Sequence, residues 1–324
     1  MSTTRMPPPT GSDEFDLIAD ETTQLEMRRA RMYTPEALEN AREVDDIFVM
    51  HPAFKEALGA FDRCFQLAKT LTVPNGVLIT GPTGSGKTSL IEHFWRTLPG
   101  DTLYDQGFGA LAIRLPFRPT AGQIISALLR KLRYPFAEVT NRSVYVKREV
   151  AFDALRQKKC RMIFIDEGHH LANQVRHQDR QGFDTAASEL LRELMDEVKI
   201  NLVIAADAQP EVLDHIDPAL ASRVSVRLAL RNFELKSTWF AYIKAFCRQA
   251  SGVDFGYLTT PEAGQQLHAG TLGNLRAFKR LVTEAALIGI DAQKSTVDAS
   301  IMALAFERVN GTACAITNPY ALRT

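Results

Sequence analysis

No apolar run in this sequence approaches ~18 residues, the length a membrane-crossing helix needs, so no membrane span is expected. The first residues, Met1 to Thr10, have no apolar core, and no secretory signal is expected there. Cysteine is scarce. Cys64, Cys160, Cys247 and Cys314 are scattered with no paired spacing. That argues against a disulfide or zinc framework and for reduced thiols of the cytosol. Net charge is absent too: 38 Lys and Arg balance 38 Asp and Glu. Internal repeats are missing, and the one biased stretch is the Pro-, Thr- and acid-rich segment 1–20, which reads as a disordered arm. What remains is ordinary for a globular chain. Its 324 residues, 45% hydrophobic and 23% charged, suit one large domain or a core plus a smaller one.

The zero net charge hides an asymmetry. Residues 1–50 hold eleven acids against five bases, whereas residues 130–161 hold ten Lys or Arg against three acids. A local basic excess of that size suits nucleic acid, and equally the solvated face of a helix.

Against this background one stretch stands out. Gly81-Pro82-Thr83-Gly84-Ser85-Gly86-Lys87-Thr88 fits G-x-x-x-x-G-K-[ST], the phosphate-binding loop of nucleotide hydrolases. A short apolar strand precedes it at 76–80, and a helix follows from Ser89. Glycines let backbone N–H groups turn inward toward phosphate oxygens, and the helix adds its positive end. Lys87 is expected to reach the β- and γ-phosphates, and the Thr88 hydroxyl to ligate Mg²⁺. A second apolar strand, Arg161-Met162-Ile163-Phe164-Ile165, ends in Asp166 and Glu167. Neighbouring strand residues point to opposite sides of the pleat. Asp166 can therefore face the metal while Glu167 orients and deprotonates the attacking water. ATP and Mg²⁺ are the expected cofactors.

Strand and helix patterns alternate through the first two thirds of the chain. Strands at 76–80, 110–115, 161–165, 200–205 and 224–230 are separated by helices at 87–97, 121–133, 144–158 and 184–198. That alternation predicts a parallel sheet between helices. After about residue 232 only helical patterns remain, at 236–250, 260–269, 274–290 and 295–308. Expected boundaries are an N-terminal arm over 1–25, an α/β core with N-terminal helices over 26–231, a helical lid over 232–310 and a tail over 311–324.

An α/β nucleotide-binding core followed by a helical lid is the AAA+ P-loop NTPase layout, and it locates further parts. The strand after Ile200 ends at Asp207. That residue is either a sensor of the γ-phosphate or the cap of a helix at 209–215. Arg223 ends a helix just before the last strand and is the candidate finger reaching a neighbouring subunit's ATP, with Arg227 in reserve. Arg276 opens a helix in the lid and is placed as a second sensor. His51 belongs near the adenine pocket or at a helix cap.

With these parts in order, the chain resembles a TniB/TnsC-type transposition regulator, an AAA+ ATPase of bacterial transposons. The resemblance runs from about Arg28 to Ile290. It rests on the basic lead-in Met27-Arg28-Arg29-Ala30-Arg31, His51-Pro52, Leu115-Pro116-Phe117-Arg118-Pro119-Thr120, Asp166-Glu167-Gly168-His169, Leu220-Ala221-Ser222-Arg223 and Gly270-Thr271-Leu272-Gly273-Asn274-Leu275. The chain departs from the family where Ala206-Asp207 replaces a frequent Gly-Thr. The resemblance implies sequence-independent binding to duplex DNA when ATP is bound, as a homo-oligomeric ring or filament. It also implies delivery of target DNA to a transposase, with a TniQ-type adaptor as partner, in the bacterial cytoplasm at the nucleoid. Binding of that kind needs phosphate contacts. The candidates are Arg118 and Thr120 in a loop expected to line a central channel, with Arg130, Lys131, Arg133, Arg142, Lys147 and Arg148 from the basic run. The loop residues expected to touch nucleotide are Gly81 through Thr88 and Ser89.

Other classes fit less of the sequence. Asp166-Glu167-Gly168-His169 also matches superfamily helicases, but the residues after it turn helical and lack a Gln-x-x-Gly-Arg pattern. An AAA+ helicase loader or secretion-type ATPase switch would share every ATP residue and differ in partners. His169, His170 and His177 have no cysteine nearby and read as polar loop residues, not zinc ligands.

Overall fold

The computed structural model describes residues 25, 32–68, 70–71, 75–98, 109–140, 143–174, 186–207, 211–311 and 313–321. The arm over 1–20, the basic lead-in at 27–31, Arg142 and His177 lie outside the described residues.

Local chemistry starts the helices where the sequence marks them. Thr34 caps α1 (Pro35–Asp46): its Oγ1 accepts from the Ala37 N–H at 3.2 Å. Pro35, which has no N–H to leave unpaired, takes the first helical position. His51-Pro52 opens α2 (Pro52–Leu67). Five strands follow: β1 (Gly76–Thr80), β2 (Ala110–Arg114), β3 (Met162–Asp166), β4 (Asn201–Ala206) and β5 (Val226–Ala229). They form one sheet in the order β2-β3-β4-β1-β5, with every pair parallel. Parallel neighbours require crossovers. These contain α3 (Lys87–Thr97), α4 (Ala121–Lys131), α5 (Val144–Gln157), α6 (Ala187–Val198), α7 (Val212–Ile216) and α8 (Pro218–Arg223). Strands β1 and β4 are buried at every position, as expected for the centre of a sheet covered on both faces. This is the AAA+ P-loop fold expected from the sequence.

Sheet register sets up the site. Thr80 pairs with Ala206, and Arg114 with Asp166. The carboxyl ends of β1, β2, β3 and β4 therefore finish at one edge, where open α/β sheets bind ligands. Several helices are shorter than the sequence pattern suggests. Helix α4 stops at Lys131 because Arg133 turns into the left-handed region at φ +55°, and the helix expected over 209–215 is α7.

The remaining helices are α9 (Ser237–Gln249), α10 (Pro261–Thr271), α11 (Leu275–Asp291) and α12 (Ala299–Asn310). The chain clusters into two units. One, with the sheet, comprises Phe48–Tyr242 and Thr271–Phe278. The other comprises Met1–Ile47, Ile243–Gly270 and Lys279–Thr324. Helix α1 thus groups with C-terminal helices, for reasons visible in its bonds. Asn40 Nδ2 donates to Ser251 O at 2.8 Å, and Lys279 Nζ donates to the Val44 carbonyl at the end of α1 at 2.9 Å. Tyr33 OH donates to Glu284 Oε1 at 3.0 Å. The tail is anchored in the same unit by Asn318 Nδ2, which donates to Ala303 O at 3.0 Å. No described helix is long and apolar enough to cross a membrane.

Candidate nucleotide site

Leaving β1, the chain turns into the glycine-rich loop. Gly84 and Gly86 have φ of +84° and +94°, a region that side chains other than glycine adopt at a cost. Space confirms the choice, since a Cβ on Gly86 would lie 2.6 Å from the Phe54 ring. Lys87 begins α3 and is 7% exposed. Its Nζ donates to Gly81 O at 2.7 Å and Pro82 O at 3.1 Å. Ser85 Oγ is buried without a partner among the described residues. Thr88 Oγ1 donates to Asp166 Oδ2 at 3.3 Å, which brings the two expected metal ligands together.

Glu167 follows Asp166 with φ +58°, an uncommon conformation for a residue with a side chain and one that clusters at active sites. Arg114 Nη2 donates to its Oε1 at 2.7 Å, and His169 Nδ1 lies 3.7 Å from its Oε2. Arg114 was not singled out from sequence. The signal that could have found it is register, because Arg114 sits directly beside Asp166 on the neighbouring strand.

The Asp207 side chain is turned toward the glycine-rich loop. Residue Glu211 occupies the cap position of α7. The Asp207 carboxylate instead accepts from Lys87 Nζ and Thr83 Oγ1. Partial burial raises its pKa, but the bonds from Lys87 and Thr83 and the Lys87 charge more than offset that and hold it below the ordinary carboxylate value. The Asp207 backbone N–H donates to His169 Nδ1 at 3.2 Å. His170 Nδ1 donates to Leu115 O at 3.1 Å, since a carbonyl can only accept. Glu167, His169 and His170 have ligand atoms within 4.8 Å of one another. Both imidazole Nδ1 atoms are engaged by backbone groups, as in positioned loop histidines.

The turn before α11 also reaches the loop. Asn274 Nδ2 donates to Thr83 O at 2.9 Å, and the Arg276 N–H donates to Gly84 O at 3.1 Å. Asn274 Oδ1 accepts from the N–H groups of Arg276 and Ala277 at 3.1 Å, capping α11. Arg276 therefore starts beside the loop with an exposed side chain. Asn274 escaped the sequence reading, although it lies inside the quoted Gly273-Asn274-Leu275.

A profile of the family described as bacterial TniB protein matches residues 41–234. The chain belongs to the TniB family. No curated protein matches it. Solved structures with a similar fold include the Aeropyrum pernix ORC2 protein in ADPNP-ADP complexes, at 14% identity and TM-score 0.60, covering 83% of this chain and 72% of that one. Aeropyrum pernix ORC1 in complex with DNA has 17% identity and TM-score 0.60, covering 81% and 66%. Domain III of the Thermotoga maritima replication initiation protein DnaA has 17% identity and TM-score 0.52, covering 86% and 98%.

His51 of this TniB protein lies against aromatic rings: Phe54 at 3.9 Å, Phe233 at 5.1 Å and Tyr242 at 6.1 Å between centroids. Its Nε2 is buried without a partner among the described residues. Burial pushes its pKa from 6.5 down to about 4. The folded protein thus takes up this proton less readily than the unfolded chain. Its contribution to stability is full above pH 6.5 and declines as pH falls toward about 4. Melting temperature should drop between pH 6.5 and pH 4.5 in the native protein, and less so in His51→Gln. Equal slopes would show that other groups carry the dependence.

The expected finger arginines of the TniB chain are held internally. Arg223 makes two bonds to Asp196 at 2.9 and 2.7 Å and a third to Ala219 O at 2.7 Å. Arg227 makes two to Asp214 at 3.0 and 3.1 Å. The expected DNA residues divide. Arg118, Arg130, Lys131 and Arg133 are exposed. Thr120 is engaged in a capping box with Gln123, which explains its place in the sequence without DNA. Lys147 Nζ donates to Phe136 O at 2.5 Å. Arg148 corrects the expectation most clearly. Its guanidinium is paired with Glu149, Glu193 and Glu197 and lies over the Phe152 ring, so it has no free charge for a phosphate.

Proposed function

We propose that this TniB-family chain binds ATP with Mg²⁺ and hydrolyses it. In the ATP-bound state it assembles on duplex DNA without reading sequence and delivers target DNA to a transposase. One observation carries the reading: Lys87, Thr88, Asp166 and Glu167 converge at one edge of the sheet around a glycine loop. The residues present fit a nucleoside triphosphate. Two buried polar atoms, Ser85 Oγ and His51 Nε2, lack partners among the described residues, and buried polar groups seldom stay unpaired once a site is complete.

Bound ATP would supply the phosphoanhydride that water cleaves to ADP and phosphate. Loop N–H groups and Lys87 bind the phosphates, and Thr88 and Asp166 hold Mg²⁺. The Glu167 carboxylate takes the proton of the attacking water. Arg114 holds its Oε1 and so orients it. Arg276 reports nucleotide state from the start of α11. Arg223, or Arg227, reaches a neighbouring subunit's ATP after leaving its internal carboxylate. Hydrolysis therefore requires assembly, and ATPase activity per subunit should rise with protein concentration. Activity independent of concentration would contradict the assembly step.

DNA binding is supported by the exposed basic residues and by family membership, and a protein of this fold, Aeropyrum pernix ORC1, was solved in complex with DNA. A transposase and a TniQ-type adaptor are the partners we assign, at the bacterial nucleoid. Charge reversal at Arg130, Lys131 and Arg133 should weaken DNA binding. For every phosphate left without its cation, the log-log salt slope should flatten by about 0.9. An unchanged slope would return this surface to plain solvation.

A further inference from the structure

The phosphate-binding groups of the loop already hold an anion that belongs to the protein. Thr83 and Lys87 stand on the loop that would cradle phosphate, and both donate to Asp207. The pair is shielded, with the Lys87 side chain 8% exposed and the Asp207 side chain 25% exposed. The Asp207 main chain is also anchored from behind. Its own backbone N–H is tied to His169, and β4 locks against β1 through Thr80 and Ala206. Its main chain is therefore fixed beside the loop, and the carboxylate can leave its two donors by turning about its own side-chain bonds.

We propose that Asp207 is a resident anion that occupies the phosphate-reading groups of the loop, so that nucleotide binds only by displacing it. The inference rests on the ATP reading above and deepens it. A triphosphate brings more negative charge than a diphosphate and needs Lys87 at a second phosphate. Displacement therefore opposes ATP more than ADP. Asp207 in this role sets the triphosphate-to-diphosphate preference of the site, and it is a specificity residue, not a proton donor. The arrangement also keeps Lys87 paired without ligand. The carboxylate stays ionised because its two donors hold its pKa low.

The test compares the native protein, Asp207→Asn, Asp207→Ala and Lys87→Ala. Each is titrated with a slowly hydrolysed ATP analogue and with ADP, and each is melted without nucleotide. Asp207→Asn keeps the shape and removes the charge. It should bind the ATP analogue about tenfold more tightly, the scale of one charged hydrogen bond. Its gain for ADP should be smaller, and its melting temperature without nucleotide should fall. Asp207→Ala should tighten the ATP analogue in the same direction. Unchanged or weaker analogue binding in both Asp207 variants would overturn the proposal and leave Asp207 as a conventional helper of phosphate binding. The Lys87→Ala protein separates the two levels. If it and the native protein bind nucleotide equally, or neither binds at all, the ATP reading fails and this proposal fails with it.

Discussion

Glu167→Gln is expected to leave ATP and DNA binding intact and to slow hydrolysis by about 10²- to 10⁴-fold, the usual contribution of a positioned general base. The amide keeps the volume and can still accept from Arg114, so the local fold should survive. It cannot take a proton from water. Its backbone strain at φ +58° is unchanged, because only the side-chain terminus differs. Stalled hydrolysis should also prolong the life of assemblies on DNA. Single-turnover phosphate release and the decay of DNA-bound assemblies measure both effects together. A native turnover rate in this variant would remove Glu167 from the chemistry.

Lys87→Ala is expected to have the larger effect on binding. Two losses add. The ammonium that compensates phosphate charge is gone, and Asp207 is left without its cation. The local balance at the loop swings from paired to net negative at the place where phosphate must enter. Each charged hydrogen bond is worth about 1.5–3 kcal/mol, so nucleotide affinity should fall by at least about 10²-fold. Titration of a fluorescent ATP analogue checks it. Retained affinity would show that the loop is not the nucleotide site.

The parts of the candidate nucleotide site were legible because they are local in sequence. Gly81 through Thr88 follow one strand, and Asp166-Glu167 end another. Each motif needs only its own strand–turn context to be recognised. The parallel sheet was legible from alternation, since apolar runs and helical patterns took turns as far as β5. What escaped depends on register or on distance along the chain. Arg114 reaches Glu167 because β2 and β3 pair, and no pattern in either strand announces that. Asn274 reaches Thr83 across 191 residues. The Asp207 carboxylate meets Lys87 across 120 residues, and the sequence left its role open for that reason. Helix α1 looked like a lead-in to the core, yet Asn40 and the end of α1 bond to Ser251 and Lys279. Arg148 shows the opposite limit. A run of basic residues counts charges but not partners, and three glutamates from α5 and α6 claim this one.

The proposed function turns on ATP-dependent assembly on DNA. Electron microscopy of the purified protein on a plain duplex tests it most directly, comparing a slowly hydrolysed ATP analogue, ADP and no nucleotide. Rings or filaments should form on DNA with the ATP analogue alone. Monomers and bare DNA in all three conditions would contradict it.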